Sequence, residues 1–493
     1  MGSKASGVSA PLNETFNNHL LRLADSDLLA DCEFVVGPEK NVIKGHKVLF
    51  CAASEVFHAM FLRNLKETKT VHVEDIELDI FQGLKKYIYT GQTAFKSVFQ
   101  ALAIFVAARK YLIEPLKDTC ECYIDWELRP SQVLELLDSC RLNSVSELDS
   151  YHIIRVCHEY IRLDTANVVE SAYFPSANIE TIELILKSPH LRLESEIELF
   201  CHFERWALAE AERRKIPVED IATSFGSLKK HIRFLTISMK DFEAYIKPSP
   251  LLTSEEKNVI AKNIIKLVPN LTSKNITMLR KHRLFPKPQI SLAYCRRRMK
   301  RVVKSASNHL FRLADSDLLT DCEFIVGPQK TVIKGHKVLF CAASDVFHAM
   351  FLGHLKETKA VHIKDLEPDG FQCMKKYIYT GQTDFISAFQ ALATFVAARK
   401  YLIGPLKYKC EKYIRMKLRP SQVLEFLDSC KLNTISIFDD LSEIISYETA
   451  EVVNSDYFPF ANIETIELIL KSPRLNLNSE IEVFGHFERW ALA

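Results

Sequence analysis

The stretch of residues 31–89 decides the fold, and it contains the segments DCEFVVG (31–37), IKGHKVLFCAASEVFHAMF (43–61) and FQGLKKYIY (81–89). Apolar side chains occupy every second position of the first segment, at Cys32, Phe34 and Val36, until the turn at Gly37-Pro38. This period of two is typical of a short β-strand. The turn predicts that the following NVIKG (41–45) pairs back on it as a hairpin.

The spacing of apolar residues changes after His46 from two to three and four, which is helical. The residues concerned are Val48, Leu49, Ala52, Ala53, Val56, Phe57, Met60 and Phe61. Ser54 is a helix-capping residue inside this run, so the pattern predicts two short helices rather than one. TVHVED (70–75) then predicts a third strand, and the amphipathic run 80–88 predicts a helix that Gly91 ends.

A near copy of this stretch begins at Asp321. When residues 21–140 are aligned with residues 311–430 at a constant offset, 92 of 120 positions are identical by direct count. Identity this high indicates a recent duplication. The copies differ further on, because YFP at 457–459 lies six residues closer to the preceding element than YFP at 173–175 does, and this predicts a shortened or re-registered helix in the second copy.

The order of strand, hairpin, two short helices, strand and helix resembles the BTB/POZ domain. HKVLFCAASEVFHAMF (46–61), the acid Asp31 and KKYIYTG (85–91) lie where that family has its signature, and the spacing between them matches. The resemblance implies an α+β fold with a small sheet and a helical cluster. We expect this fold twice, at residues 19–128 and 309–418.

Helical patterns follow each of these domains. Pro130 suits the first turn of a helix, and Ser195 followed by acids marks another helix start. The stretch SPHLRLESEIELFCHFERWALAEAERR (188–214) resembles the BACK domain that follows BTB in many proteins. The resemblance implies an all-α BACK-like domain at residues 129–268 and a truncated BACK-like region at 419–493.

The second helical region has no counterpart of the residues from Glu210 onward in the first. We therefore expect its apolar face, at Phe484, Phe487 and Trp490, to be partly exposed, and we expect this unit to be less stable than the first. Limited proteolysis tests this expectation, since equal protection of both copies would contradict it.

Two segments are interpreted as connectors. Residues 1–18 are small and polar and are interpreted as a flexible tail. Residues 269–308 contain CRRRMKRVVK (295–304) and are interpreted as a basic linker. Such a run is most often a solvated connector, and the alternatives are a nuclear-import signal or an anionic-surface contact.

Length and composition describe a globular chain with several folded units. A chain of 493 residues is too long to fold around one core. Its composition, 47% hydrophobic and 26% charged, is that of a globular protein. The net charge of +2 gives no global attraction to nucleic acid or to an anionic membrane, so neither is expected as a partner. No stretch has signal-peptide or transmembrane character, and the thirteen cysteines are scattered. We expect the cytoplasm, with the nucleus as an additional location.

The sequence shows no arrangement of nucleophile, base and orienting group at a recognisable spacing, so we expect no enzyme, no cofactor and no metal. GPEKNVIKGHK (37–47) has the wrong glycine spacing for a phosphate loop. Cys120 and Cys122 have no matching pair at zinc spacing, and we expect one in the core and the other on the surface. His46 and His336 precede their helices and are expected to help start them.

The resemblance assigns contact surfaces instead of chemistry. In BTB adaptors that resemble this chain, a hydrophobic residue, any residue and a glutamate after the second short helix contact cullin-3. These positions are Leu65 and Glu67, with Leu355 and Glu357 in the copy. Alternatively, Leu65 covers its own domain and Glu67 is solvated. Agreement between the copies is not independent support, because they share residues by descent.

The resemblance also implies self-association. BTB domains pair through their first helices and keep a buried acid and base near the dyad, here Asp31 with Lys47 and Asp321 with Lys337. The alternative is a carboxylate and a lysine at the surface. With two such domains on one chain, pairing occurs within the chain at high effective concentration if the linker spans, and between chains if it does not.

We therefore expect a non-enzymatic adaptor that links an unknown substrate protein to a cullin-3 RING ubiquitin ligase. The first unit resembles BTB-BACK proteins that normally carry a C-terminal PHR β-sandwich, and neither PHR nor Kelch repeats occur in this sequence. Substrate recognition would then belong to the helical regions, the linker or a partner. The alternative is an oligomerising scaffold, or a transcription-related protein, without a ligase.

Overall fold

The fold is that of a computed structural model, which describes residues 13–64, 70–146, 148–265, 308–353, 360–430, 438–472, 475–477 and 479–493. The expected cullin-contact residues Leu65, Glu67, Leu355 and Glu357 lie outside these described residues, as does the expected linker apart from residue 308.

The first αβ unit is a three-stranded sheet with helices packed around it. Its strands are β1 (Cys32–Val36), β2 (Asn41–Gly45) and β3 (Thr70–Val73), in the order β2-β1-β3, with β2 antiparallel and β3 parallel to β1. Its helices are α1 (Asn13–Ala24), α2 (Lys47–Ala53), α3 (Glu55–His58), α4 (Leu78–Thr90), α5 (Val98–Lys110) and α6 (Glu114–Glu127). A π-helical turn, Ala59–Asn64, continues α3.

The sequence signals for this unit are confirmed by local geometry. Alternate residues of β1 are buried, with Phe34 in the middle of the core. Ser54 separates α2 from α3 because its backbone is extended, and its hydroxyl oxygen accepts a hydrogen bond from the N–H of Phe57 (3.2 Å). Gly91 ends α4 in the left-handed region (φ 67°), which a glycine adopts without strain.

A helical unit follows, from residue 130 to residue 265, and we name it the first helical unit. It begins with a 3₁₀ turn (Pro130–Gln132) rather than directly with the α-helix expected at Pro130. Its helices are α7 (Val133–Leu142), α8 (Tyr151–Leu163), α9 (Thr165–Val169), α10 (Ile179–Lys187), α11 (Glu196–Arg214), α12 (Ile221–Ser224), α13 (Gly226–Lys229), α14 (Met239–Asp241) and α15 (Ser254–Ile265). Short turns at Phe174–Ser176, Val218–Asp220, Phe234–Thr236 and Phe242–Ile246 join them.

The second αβ unit repeats the first. Its strands are β4 (Cys322–Val326), β5 (Thr331–Gly335) and β6 (Ala360–Ile363), in the order β5-β4-β6 with the same directions. Its helices are α16 (Asn308–Ala314), α17 (Lys337–Ala343), α18 (Asp345–Leu352), α19 (Pro368–Thr380), α20 (Ala388–Lys400) and α21 (Gly404–Lys417). The α+β fold class expected from the sequence is therefore confirmed.

The second helical unit contains α22 (Val423–Ser429), α23 (Phe438–Tyr447), α24 (Thr449–Val453), α25 (Ile463–Leu470) and α26 (Glu480–Leu492). Its buried side chains form a core together with Ala388, Ala391, Leu392, Ile414 and Leu418 of the second αβ unit. This core is separate from the one that joins the first αβ unit, the first helical unit and the rest of the second αβ unit. As expected, its apolar face is partly exposed: Phe484 is 65% exposed, and Phe487 and Trp490 are half-buried.

The two αβ units pack against each other through their first helices. Helix α1 lies against α4 of its own unit and against α17 of the other, and α16 lies reciprocally against α19 and α2. We call this contact region, formed by α1, α2, α16 and α17, the seam. All four helices of the seam belong to the same chain.

Two expectations need correction. Helix α1 begins at Asn13, inside the segment 1–18 that was expected to be a tail. Cys122 is buried like Cys120, so neither cysteine of this pair lies at the surface. The reason is that α6 is covered on more than one face, which its sequence period alone does not reveal.

Candidate interaction surfaces

Two buried histidines form hydrogen bonds across the seam. His19 of α1 donates from Nε2 to the carbonyl of Ile378 in α19 (3.2 Å). His309 of α16 donates from Nε2 to the carbonyl of Ile88 in α4 (2.8 Å). Each unit therefore contributes a donor from its first helix to a helix of the other unit.

The two carbonyls are available because they lie in the last turns of α4 and α19. The last four carbonyls of an α-helix have no intrahelical N–H partner. The N–H of Gln92, which a longer helix would direct at Ile88, donates to the hydroxyl of Thr90 instead (3.1 Å), and Gln382 does the same with Thr380 (3.2 Å). The histidines thus cap two helix ends in a buried region, where an unpaired carbonyl would be costly.

Burial keeps the His309 imidazole neutral. The pKa of His309 is lowered to about 4, mainly by desolvation; the hydrogen bond to Ile88 opposes this shift, and the nearby Arg312 adds to it. A neutral imidazole has a single N–H, and donation to a carbonyl places it on Nε2. His309 is therefore a hydrogen-bond donor at neutral pH, with the ring of Tyr87 beside it at 6.4 Å between centroids.

Two clefts open beside the seam, and each has walls from both αβ units. The larger has a volume of about 500 Å³ and lies between Glu55 and Glu114 of the first unit and Arg312 of the second. Its pseudo-symmetric counterpart, between Arg22 and Asp345, is about 250 Å³. These composite surfaces exist only while the two units are paired.

The expected acid–base pairs touch through the main chain and not as buried ions. Asp31 is exposed, and its carboxylate accepts a hydrogen bond from the backbone N–H of Lys47 (2.7 Å) at the start of α2. The Lys47 ammonium lies over the ring of Phe61, 5.5 Å from its centroid. Asp321 and Lys337 repeat the 2.7 Å bond in the copy. The expectation of a buried acid is wrong, because the short acid reaches the orphan N–H of a helix start before it reaches the ammonium.

His46 is the N-cap residue of α2, as expected, but its side chain makes no capping hydrogen bond. Its Nδ1 accepts from the hydroxyl of Tyr89 (2.6 Å), and its Nε2 donates to the carbonyl of Leu28 (2.7 Å). His336 makes the same two bonds, with Tyr379 and Leu318. Both imidazoles are buried, which lowers their pKa, and they act as structural links.

The described residues offer little reactive chemistry. Burial raises the pKa of Cys51 and Cys140 to about 12, so these thiols stay protonated and are poor nucleophiles. No group of three or more His, Cys, Asp or Glu side chains suited to a metal ion occurs in the part of the chain that the structure describes. Within the same residues, no helix has both the length and the apolar character needed to cross a membrane.

A wider cleft of about 730 Å³ lies in the first helical unit, between α8 and α10. Arg155 and Arg162 of α8 lie 3.9 and 3.8 Å from Glu159, and Lys187 of α10 lies 2.8 Å from Glu183. Each of these ion pairs lies within one helix, and all five residues line the cleft. The wall is therefore mixed in charge, which suits contact with a polar protein surface.

The sequence reasoning missed His19 and His309. A signal was present: NHLLRLADSDLL (18–29) and NHLFRLADSDLL (308–319) place a histidine at the same position before a run that differs at one residue only. What the sequence does not show is the acceptor, because Ile88 and Ile378 belong to the opposite unit. The expected contact residues Leu65, Glu67, Leu355 and Glu357 follow Asn64 and Gly353, where the described residues stop.

Comparison with known proteins identifies the two αβ units. The family model of the BTB/POZ domain matches residues 20–128 and 310–418. Similar proteins include human BTB/POZ domain-containing protein 3, 34% identical over 181 residues (36% of this chain and 34% of the relative). Human BTB/POZ domain-containing protein 6 is 28% identical over 241 residues (48% and 44%), and zebrafish (Danio rerio) BTB/POZ domain-containing protein 6-B is 28% identical over 270 residues (52% and 55%).

The chain spans about a third to a half of the length of these curated relatives. The matched ranges coincide with the two sheets, their short helix pairs and the seam helices. The family model matches each αβ unit separately, and the signature residues 46–61 and 85–91 lie inside the first match. Residues 20–128 and 310–418 are therefore two BTB/POZ domains carried in tandem by one chain.

Proposed function

We propose that this chain is a non-enzymatic interaction adaptor that links a substrate protein to cullin-3 in a ubiquitin ligase. The observation that carries the proposal is the presence of two BTB/POZ domains, paired through the seam, each with a Leu-x-Glu segment directly after its short helices. BTB/POZ domains typically act as protein-interaction modules. One chain would thus offer two equivalent cullin contacts, at Leu65 with Glu67 and at Leu355 with Glu357.

The acid–lysine pairs support the seam in this proposal. Asp31 caps the first turn of α2, and α2 contacts α16 of the other domain. Asp321 does the same for α17, which contacts α1. We therefore assign Asp31, Lys47, Asp321 and Lys337 to the dimer interface as residues that position the paired helices.

The helical units would hold the substrate. We propose that residues 129–268 form a BACK-like domain, that 419–493 form a BACK-like region, and that 269–308 link the two halves. The cleft between α8 and α10 has a volume of about 730 Å³, and its mixed charge suits a polar protein partner. The proposed location is the cytoplasm, with the nucleus as an additional site.

A pull-down of the full chain with the purified cullin-3 N-terminal domain tests the adaptor function. The test variant is Leu65→Asp/Leu355→Asp. The control is Val42→Asp/Val332→Asp, which places the same charges on the exposed edge strands β2 and β5, where the valines are 60% and 55% exposed. Binding by wild type and control but not by the test variant supports the proposal.

A scaffold without a ligase is the second candidate, because the seam provides association by itself. No cullin-3 binding by a wild-type chain whose seam is intact supports the scaffold. Equal binding by the wild type and the Leu65→Asp/Leu355→Asp variant would show that Leu65 and Leu355 do not form the cullin-3 contact. A different surface of the chain would then bind cullin-3.

A further inference from the structure

We propose that His19 and His309 close the two BTB/POZ domains into an intrachain pair, so that the pairing face of each domain is occupied by the other domain of the same chain. This inference goes beyond the proposed function and does not depend on cullin binding. It rests on the reciprocal hydrogen bonds of the two histidines and on the sequences that form the seam.

Each histidine contributes a buried hydrogen bond between the two domains. His19 and His309 are 8% and 6% exposed, and each donates to a helix-end carbonyl of the other domain. Without that donor, the carbonyl of Ile88 or Ile378 would lie in the seam with no partner from its own helix. Losing one partner of a buried hydrogen bond costs more than the bond itself contributes, because the remaining group stays desolvated.

The seam contacts alone do not determine whether a domain pairs with the other domain of its own chain or with a domain of another chain. Helices α2 and α17 have the same sequence, KVLFCAA, and the seam residues 19–24 and 309–314 read HLLRLA and HLFRLA. A domain of another chain would therefore offer almost the same contacts. The covalent connection decides, because it makes intrachain pairing independent of concentration, whereas pairing between chains must overcome dilution.

The mode of pairing determines how many chains assemble together. An interchain BTB pair exposes a free second domain on each chain, and such chains could extend into polymers. Reciprocal closure within the chain leaves neither first helix unpaired. The molecule thus behaves as a closed unit that presents two composite clefts and two copies of each outward surface.

The oligomeric state of the full chain is the first measurement. Light scattering after size exclusion should give the mass of one chain, 56.5 kDa, over a wide concentration range. A mass that rises to two or more chains with concentration would overturn the intrachain pairing.

Hydrogen exchange measured by mass spectrometry on the full chain then tests the histidines. In His19→Met/His309→Met, which removes both donors at similar size, amide exchange in α1 and α16 should rise at least ~10-fold. His19→Gln/His309→Gln keeps an N–H donor and should stay closer to wild type. His72→Met/His362→Met changes two exposed histidines of β3 and β6 and should have no effect.

Protection of the hairpins β1–β2 and β4–β5 shows whether each variant is folded. Faster exchange in the Met variant than in the Gln variant supports the inference, whether the Met variant opens only the seam or loses the hairpins as well. Equal exchange of the Met and Gln variants, both fast or both slow, would overturn it, because the donated hydrogen bond would then be irrelevant.

Discussion

The helices α11 and α26 have almost the same sequence but very different surroundings. EIELFCHFERWAL and EIEVFGHFERWAL differ at two positions, yet Phe200 of α11 is fully buried and its counterpart Phe484 is 65% exposed. In the first helical unit a later segment covers this face, with the ring of Phe234 5.9 Å from Phe200 and the ring of Phe225 5.5 Å from Trp206. The described residues of the second unit place no such segment there.

The BTB/POZ domains show the opposite behaviour. Many of their internal links are repeated: for example, the hydroxyls of Ser54 and Ser344 donate to the carbonyls of Tyr111 and Tyr401, both at 2.6 Å. Each domain is also packed against the other through the seam. The difference teaches that repeated sequences form the same local structure in both copies, whereas the burial of a side chain depends on which other segments pack against it.

The largest expected effect comes from truncating the phenylalanine that distinguishes the two helices. Phe200→Ala should lower the free energy of unfolding of the first helical unit by about 3–5 kcal/mol, because it creates a cavity in a packed core. Phe484→Ala should cost less than about 1 kcal/mol, since its ring is mostly solvated already. Hydrogen exchange of α11 and α26 measures each unit separately, and similar losses in both would contradict the comparison.

The segment that covers α11, which contains Phe225 and Phe234, is also stabilised by a buried ion pair, and a substitution there should destabilise it. Lys229 donates to Glu256 (2.6 Å) and to the carbonyl of Ala222 (2.6 Å), and its side chain is almost fully buried. Lys229→Met leaves the carboxylate of Glu256 buried without its ammonium partner and should cost about 3 kcal/mol or more. Hydrogen exchange measured at increasing denaturant concentration should show that the backbone amides of α11 in this variant exchange as fast as those of α26.

A compensating variant serves as the control for this prediction. Lys229→Met/Glu256→Leu replaces both charges by apolar groups and should recover most of the lost stability, because the uncompensated buried charge is removed. If the double variant is as unstable as the single one, packing of the Lys229 chain, and not its charge, holds the segment.

Each helical unit has an aspartate that accepts hydrogen bonds from neighbouring segments of the same unit, and the two aspartates differ in burial. Asp138 accepts hydrogen bonds from Tyr173 (3.1 Å), the N–H of Asn178 (2.9 Å) and Thr181 (2.5 Å), and it is 1% exposed. Asp138→Ala should destabilise its unit by about 2–3 kcal/mol, because it leaves buried donors unpaired.

The counterpart Asp428 makes the same kinds of contacts with Tyr457, Asn462 and Thr465 but is only half-buried. Asp428→Ala should therefore cost less, about 1 kcal/mol, since water can replace part of the lost bonding. Denaturation midpoints of the two variants, compared with the wild type, measure the difference. A larger loss at Asp428 would contradict the assigned burial.

The smallest effect is the pH dependence that His309 contributes to the paired domains. Burial lowers the pKa of His309 from 6.5 to about 4, so the unfolded chain binds a proton in the window between these values while the folded chain does not. Stability should therefore fall as the pH drops from 6.5 towards 4, by up to about 1.4 kcal/mol per pH unit for this group.

Denaturation at pH 7 and pH 5.5 measures this effect, with His309→Gln as the control. His46 and His336 also have pKa values lowered by burial and act in the same direction, so the difference between wild type and His309→Gln isolates one histidine. An identical acid sensitivity of the two proteins would show that His309 does not titrate in this window.

Much of each αβ unit could be predicted from local sequence. Cys32, Phe34 and Val36 alternate as a strand does, Ser54 divides two helices, and Gly91 ends a third, because each of these signals acts through the backbone of its own neighbours. The role of Asp31 could not be predicted in the same way. The sequence does not show which donor the carboxylate of Asp31 bonds. Only the folded structure places the backbone N–H of Lys47 within hydrogen-bond distance of it.

The sequence alone determined the α+β domains, their duplication and the helical character of the region after each domain, since these depend on periodicity and on capping residues a few positions apart. The tertiary structure decided that His19 and His309 cap helices of the opposite domain, and that one copy of a repeated helix is covered while the other is exposed. Those outcomes depend on groups far apart in the chain, and packing brings such groups together only after each local element has formed.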